Sequence, residues 1–275
     1  MRTNDRLVRT AGPSVSSKRR GPHSRRPLAL RSASTMSAAG GIPTMQEPET
    51  HQIEGRDERV GSRALVATAV AIGVLYLAGA VALGTPPGAA DTGTQVVAWF
   101  QEHRDGVRWS VWAITVQAPF FALMFALQRR LLPAPHRDVF FIGAIAIVVA
   151  TAVQAWIWGG LALHADRLEP ATARTVLDVG VFWGPVLTGA TTTMMAPVTV
   201  LALRRQAGLP WWLGVLGAVA FVEQAVETIT IFGSTGFTEP GGAMNLQLGA
   251  GLVVSWMLAF AMWGGVRGRA HSLVG

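Results

Sequence analysis

Two glutamates four residues apart, Glu223 and Glu227, stand inside a long apolar stretch of the sequence. A spacing of four puts both on one face of a helix. A charge near the middle of a bilayer costs ~2.5–3.5 kcal/mol or more, so membrane carboxylates face a bundle interior or water. There they handle protons or cations, or anchor the cationic group of a solute. Gln224, Thr228 and Thr230 widen the same polar region. Other apolar stretches contribute Gln117, Gln154, Thr192 and Asn245, which complete the candidate substrate- or ion-binding set. The structural alternative is a neutral glutamic acid bonded to threonine or glutamine of a facing helix, which simply ties a bundle together. Further polar residues in apolar surroundings are Thr188, Thr191, Thr193 and Gln247. Prolines flank several of them: Pro119 after Gln117, and Pro185 and Pro197 on either side of the threonine run. A proline frees a backbone carbonyl, which can line a cavity.

Other chemistries lack their residues. There is no cysteine, which removes disulfides, thiolate metal sites and cysteine nucleophiles. No phosphate-cradling glycine loop, His-Glu-x-x-His pair or Gly-x-Ser-x-Gly elbow is present. The histidines (His23, His51, His103, His136, His164 and His271) fall in tail, loops and terminus without ligand spacing. No catalytic, metal or cofactor residues are assigned, and the chain does not read as an enzyme.

The elements that must position the glutamates are six apolar stretches, at about 64–84, 107–127, 139–163, 179–203, 209–232 and 244–266. Each reaches the ~20 residues needed to cross a hydrocarbon core of ~30 Å. Half of the 275 residues are hydrophobic and 14% are charged, well below the quarter or so usual for a soluble domain. The fold class expected is therefore all-α, a polytopic membrane helix bundle. The net charge of +7 does not indicate a nucleic-acid partner, because of where the 23 Lys and Arg lie. Twelve precede the first stretch and seven fall in Arg129–Arg137, Arg204–Arg205 and Arg267–Arg269, whereas four (Arg104, Arg108, Arg167, Arg174) occupy the alternate connections. Basic residues mark the cytoplasmic side, so both termini are expected inside a bacterial cytoplasmic membrane. Tryptophans favour the interface, and all but Trp256 fall near one or other expected face.

Residues 1–63 are rich in Arg, Ser, Gly and Pro without apolar periodicity, and read as a disordered basic cytoplasmic tail. Lys18-Arg19-Arg20 and Arg25-Arg26 offer contact with anionic lipid, worth about 1 kcal/mol per basic residue near the surface. Met36 and Met45 are alternative starts for a shorter protein with the same membrane domain. Residues 267–275 form a short cytoplasmic end. In the first outer connection, Val96, Val97, Trp99 and Phe100 among polar residues predict a short helix on the membrane interface, capped by Asp91 or Thr92. Pro170 after Glu169 predicts that the fourth span extends outward by about two turns. Gly180-x3-Gly184 permits close helix contact. An echo between Leu127-Gln-Arg-Arg130 and Leu203-Arg-Arg205 is the single hint of an inverted repeat.

Arg204-Arg-Gln-Ala-Gly-Leu-Pro-Trp-Trp-Leu-Gly214, Gly236-Phe-Thr-Glu-Pro-Gly-Gly242, Val74-Leu-Tyr-Leu77 and Leu177-Asp178 together resemble a broad group of uncharacterised six-helix membrane proteins of actinobacteria, a domain of unknown function. The resemblance covers about 64–268 and implies a cytoplasmic-membrane location. It supplies no catalytic residues.

Two functions follow as expectations. One is binding or translocation of a small solute or ion at the polar centre of the bundle. The other is a non-transporting membrane partner, assembly or regulatory protein acting through the basic tail and inner loops. Lipid is the expected surrounding, and a homodimer is compatible with a bundle of this size.

Overall fold

The computed structural model describes residues 49–274, with side-chain surroundings for residues 61–267. Among these residues eight α-helices follow in chain order: α1 Glu49–Leu83, α2 Gly93–Glu102, α3 Arg104–Arg129, α4 His136–Leu163, α5 Pro170–Val181, α6 Trp183–Leu203, α7 Trp211–Glu227 and α8 Ala250–Val274. Among the described residues, six helical segments are long and apolar enough to cross a membrane: Gly61–Leu83, Arg104–Arg129, His136–Leu163, Pro170–Leu203, Trp211–Phe232 and Met244–Arg267. They coincide with the six expected stretches, several of them longer by a turn or two. The N-terminal tail expected over residues 1–63 falls largely outside the described residues, but α1 already begins at Glu49. Once a span is helical, each added residue needs no new nucleus.

Each span packs on the next in sequence, α1 on α3, α3 on α4, α4 on α6, α6 on α7 and α7 on α8, and α8 returns to α1. The bundle is thus a closed ring. The two halves of this ring differ. Toward the arginine-bearing connections it is solid, built on Met124, Phe125, Phe140, Met194, Met195, Leu213, Trp256 and Phe260. Phe140 stands edge-on to both Phe125 and Phe260, with ring centroids 6.1 and 6.0 Å apart. Gly143 lets α4 close on α6: a Cβ there would stand 2.7 Å from the Ala190 carbonyl and 2.9 Å from the Met194 Cα.

The opposite half carries the long connections. Here α2 is the short helix expected, and its apolar face packs on protein. Its Val96 and Phe100 are fully buried with Trp158, Ala173 and Leu177, because the extension of the fourth span, α5, offers Ala173 and Leu177 at the matching i, i+4 spacing. Thr92 caps α2, with its hydroxyl accepting from the Gln95 amide and the Gln95 side chain accepting from the Thr92 amide, a reciprocal capping box. Pro170 opens α5 as expected, and the cap is the Glu169 carboxylate, 2.8 Å from the Thr172 amide. The backbone amides of Thr172 and Ala171 and the Thr172 hydroxyl hold the Glu169 carboxyl below its usual range. The chain breaks at Phe182 before α6 resumes.

The outward surface is apolar. Val70, Val74, Leu77 and Val81 run down one side of α1, and Ile142, Ile145, Val149, Val153 and Trp156 down α4, all exposed. A helix in water would turn such a stripe inward.

Candidate functional site

Both helices that carry the polar centre depart from regular α geometry there. α7 stops at Glu227 and tightens into a 3₁₀ turn over Thr228–Phe232. The last span opens with a π-helical turn, Met244–Gly249, before α8. Such wide turns recur at functional sites, and this one presents Asn245 to Glu227.

Glu227 is 3% exposed. The Asn245 amide donates to its Oε1 and the Gln224 amide to its Oε2. Each amide also bonds elsewhere. Asn245 Oδ1 accepts from the Gly241 backbone at 3.0 Å, and its Nδ2 also reaches Thr230 Oγ1 at 3.3 Å. Gln224 Oε1 accepts the Thr191 hydroxyl, and Gln224 Nε2 reaches Glu223 Oε2 at 2.9 Å. One chain of bonds thus joins α6, α7 and the π turn. Two glycines make room for it. A Cβ at Gly184 would stand 2.9 Å from the Asn245 amide carbon, and one at Gly249 would overlap Glu227 Oε2. Among the described residues, no ion pair involves Glu223 or Glu227.

Glu227 opens onto a cavity of about 710 Å³ in the half of the ring opposite the arginine-bearing connections. Its walls include Leu75 and Tyr76 of α1, Ile114, Gln117 and Phe121 of α3, and Gln154 of α4; Leu187 of α6 and Val253 and Met257 of α8 complete the apolar side. Three carboxylates, Asp91, Glu227 and Glu239, line it, and none of the described lining residues is Lys, Arg or His. Two loops cross the end of the cavity. Glu239 accepts from the Ala89 amide at 3.0 Å, joining the 84–91 connection to the 233–243 connection. Asp91 accepts from the Gly88 amide at 2.7 Å. Arg174 spends its guanidinium on the carbonyls of Gly88 and Asp91 and on the Asp178 carboxylate.

The structure brings together five of the eight residues singled out from the sequence. Glu227, Gln224, Asn245, Gln117 and Gln154 all line this cavity. Gln117, on the turn before Pro119, donates to the Ile72 carbonyl at 2.8 Å. Glu223 lies one step outside, linked only through Gln224, and its Oε1 is buried without a partner. Thr228 is exposed and bonds back to Ala225, and Thr192 bonds back to Thr188 and Gly189. Of the threonine run, only Thr191 reaches another helix. Asp91, expected only as a helix cap, and Glu239 are not among those eight, because loop carboxylates in a sequence look like ordinary solvated charge.

No known protein family, curated protein or solved structure matches the chain. The function must therefore be argued from the site itself.

Proposed function

We propose that this chain is a multi-pass membrane protein that takes a small cationic solute into its cavity, with the Glu227 carboxylate as the anchor. The observation that carries the reading is a buried carboxylate on the wall of a roomy cavity, bonded to two amides and, among the described residues, to no basic side chain. Burying a charge is costly unless it is paired, and a cationic solute supplies the pair. Cavities of about 300–1,000 Å³ suit small-molecule ligands.

The apolar stripes on α1 and α4 fit a lipid surrounding. The distribution of arginine supports termini on the cytoplasmic face of a bacterial plasma membrane. That orientation turns the cavity outward and leaves the solid half of the ring as a plug on the inner side. Capture from outside needs no rearrangement of that plug, whereas passage through the bundle requires Phe125, Phe140 and Phe260 to separate.

The test is titration of the full chain in lipid nanodiscs with K⁺, Mg²⁺, methylammonium and choline, followed by tryptophan fluorescence and thermal unfolding. At least one cation should stabilise the protein. Glu227→Gln should abolish the effect, and removal of residues 1–60 should leave it intact. The reading falls if no cation acts, or if the effect survives Glu227→Gln.

A further inference from the structure

Resting on that reading, we infer that the cavity is built for a protonated amine carrying an apolar body, and not for an inorganic cation. The donors around Glu227 decide against a metal ion. Ca²⁺ and Mg²⁺ require about six or more oxygen ligands. Asn245 and Gln224 instead turn their N–H groups toward Glu227, while their oxygens point away to accept from Gly241 and Thr191. Among the described residues, no group of three His, Cys, Asp or Glu is placed to share a metal. An ammonium asks for something different. It brings its own N–H donors and needs acceptors. A carboxylate offers about four acceptor positions, and the two amides occupy two at Glu227.

The remaining walls specify what the amine carries. Leu75, Ile114, Phe121, Leu187, Val253 and Met257 form an apolar surface inside the same cavity. That surface gains nothing from a small hydrated ion and gains from an alkyl or aryl group removed from water. Tyr76, Phe121 and Trp183 also line the cavity, and aromatic faces attract cations. An anion is disfavoured by the three lining carboxylates.

The experiment uses three probes of one shape: 4-phenylbutylamine, 4-phenylbutanol and 4-phenylbutyrate. They are titrated by calorimetry into the full chain in phosphatidylcholine nanodiscs at neutral pH, with empty nanodiscs as the blank. The amine, protonated there as lysine is, should bind at least tenfold more tightly than the alcohol, and the acid should not bind. Glu227→Gln should weaken the amine at least about tenfold, the size expected for a lost charge-assisted hydrogen bond. Glu227→Asp, which keeps the charge, should recover part of the loss, so misfolding does not explain the first variant. Equal binding of amine and alcohol, or amine binding unchanged by Glu227→Gln, overturns the inference. If K⁺ or Mg²⁺ binds through Glu227 and the amine does not, the amine class falls while the cation-binding reading stands. If no cation of any kind binds, both fall.

Discussion

A methyl group added at Gly249 tests the polar centre more sharply than removal of any charged residue. A Cβ at this position overlaps Glu227 Oε2 and stands 2.9 Å from its carboxyl carbon and 3.0 Å from Gln224 Nε2. A free carboxylate would swing aside at little cost. This one is held at both oxygens, by Asn245 and Gln224, so in Gly249→Ala it must give up at least one bond. A hydrogen bond to a charged group contributes about 1.5–3 kcal/mol. Alanine returns about 1 kcal/mol through its better helix propensity. The net loss is therefore about 0.5–2 kcal/mol, the difference between those two effects. Two residues on, Gly251 has nothing within 4 Å of the same methyl group. Gly251→Ala should keep the propensity gain alone and be neutral or slightly stabilising. Reversible unfolding in mixed micelles, followed by circular dichroism, measures both, and cation binding should weaken in the first variant only. Equal stability of the two variants would refute the described contact between Gly249 and Glu227.

Three further outcomes are expected. Gly143→Ala should destabilise by about 1–3 kcal/mol, the usual range for overpacking, because its methyl meets the α6 backbone at Ala190 and Met194, which cannot retreat as a side chain can; the same unfolding assay measures it. Glu169, with its carboxyl held low by the Thr172 and Ala171 amides, stabilises the start of α5 above the ordinary glutamate range. That contribution is lost as pH falls through the depressed value, so hydrogen exchange at Thr172 and Ala173, corrected for its intrinsic pH dependence, should lose protection on acidification, and Glu169→Gln should blunt this response. Since the chain has no cysteine, single replacements report sidedness cleanly: in intact cells an impermeant maleimide should label Ser234→Cys and spare Gln206→Cys, and the reverse pattern would invert the proposed threading.

The spans were legible because an apolar run of about 20 residues is a one-dimensional property. Breakers and caps were legible for the same reason. Pro170 and Thr92 act within a few residues of themselves, and both do what local chemistry requires. What the sequence concealed was long-range pairing. Nothing near Asn245 announces that a π turn will aim it at a carboxylate 18 residues earlier. The burial of α2 was hidden likewise, since Val96 and Phe100 read as lipid-facing until Ala173 and Leu177 are seen opposite them. Among Glu223 and Glu227, equal by spacing, only the structure puts one on the cavity and the other beside it. Thr191 shows the same limit. It is indistinguishable in sequence from Thr192 and Thr193, yet it alone of the three faces α7.

The closed ring has a consequence for biogenesis. Helices leave the ribosome one after another, so α7 emerges ahead of the segment that contains Asn245. Until that last span docks, Glu227 lacks one of its two amide donors, and α1, already packed on α3, lacks α8, the neighbour that closes the ring. A released chain truncated after residue 243 would thus hold an incompletely clamped carboxylate at an unsealed seam. Quality-control proteases that sense polar groups in lipid would have a defined feature to recognise, erased once the last span docks.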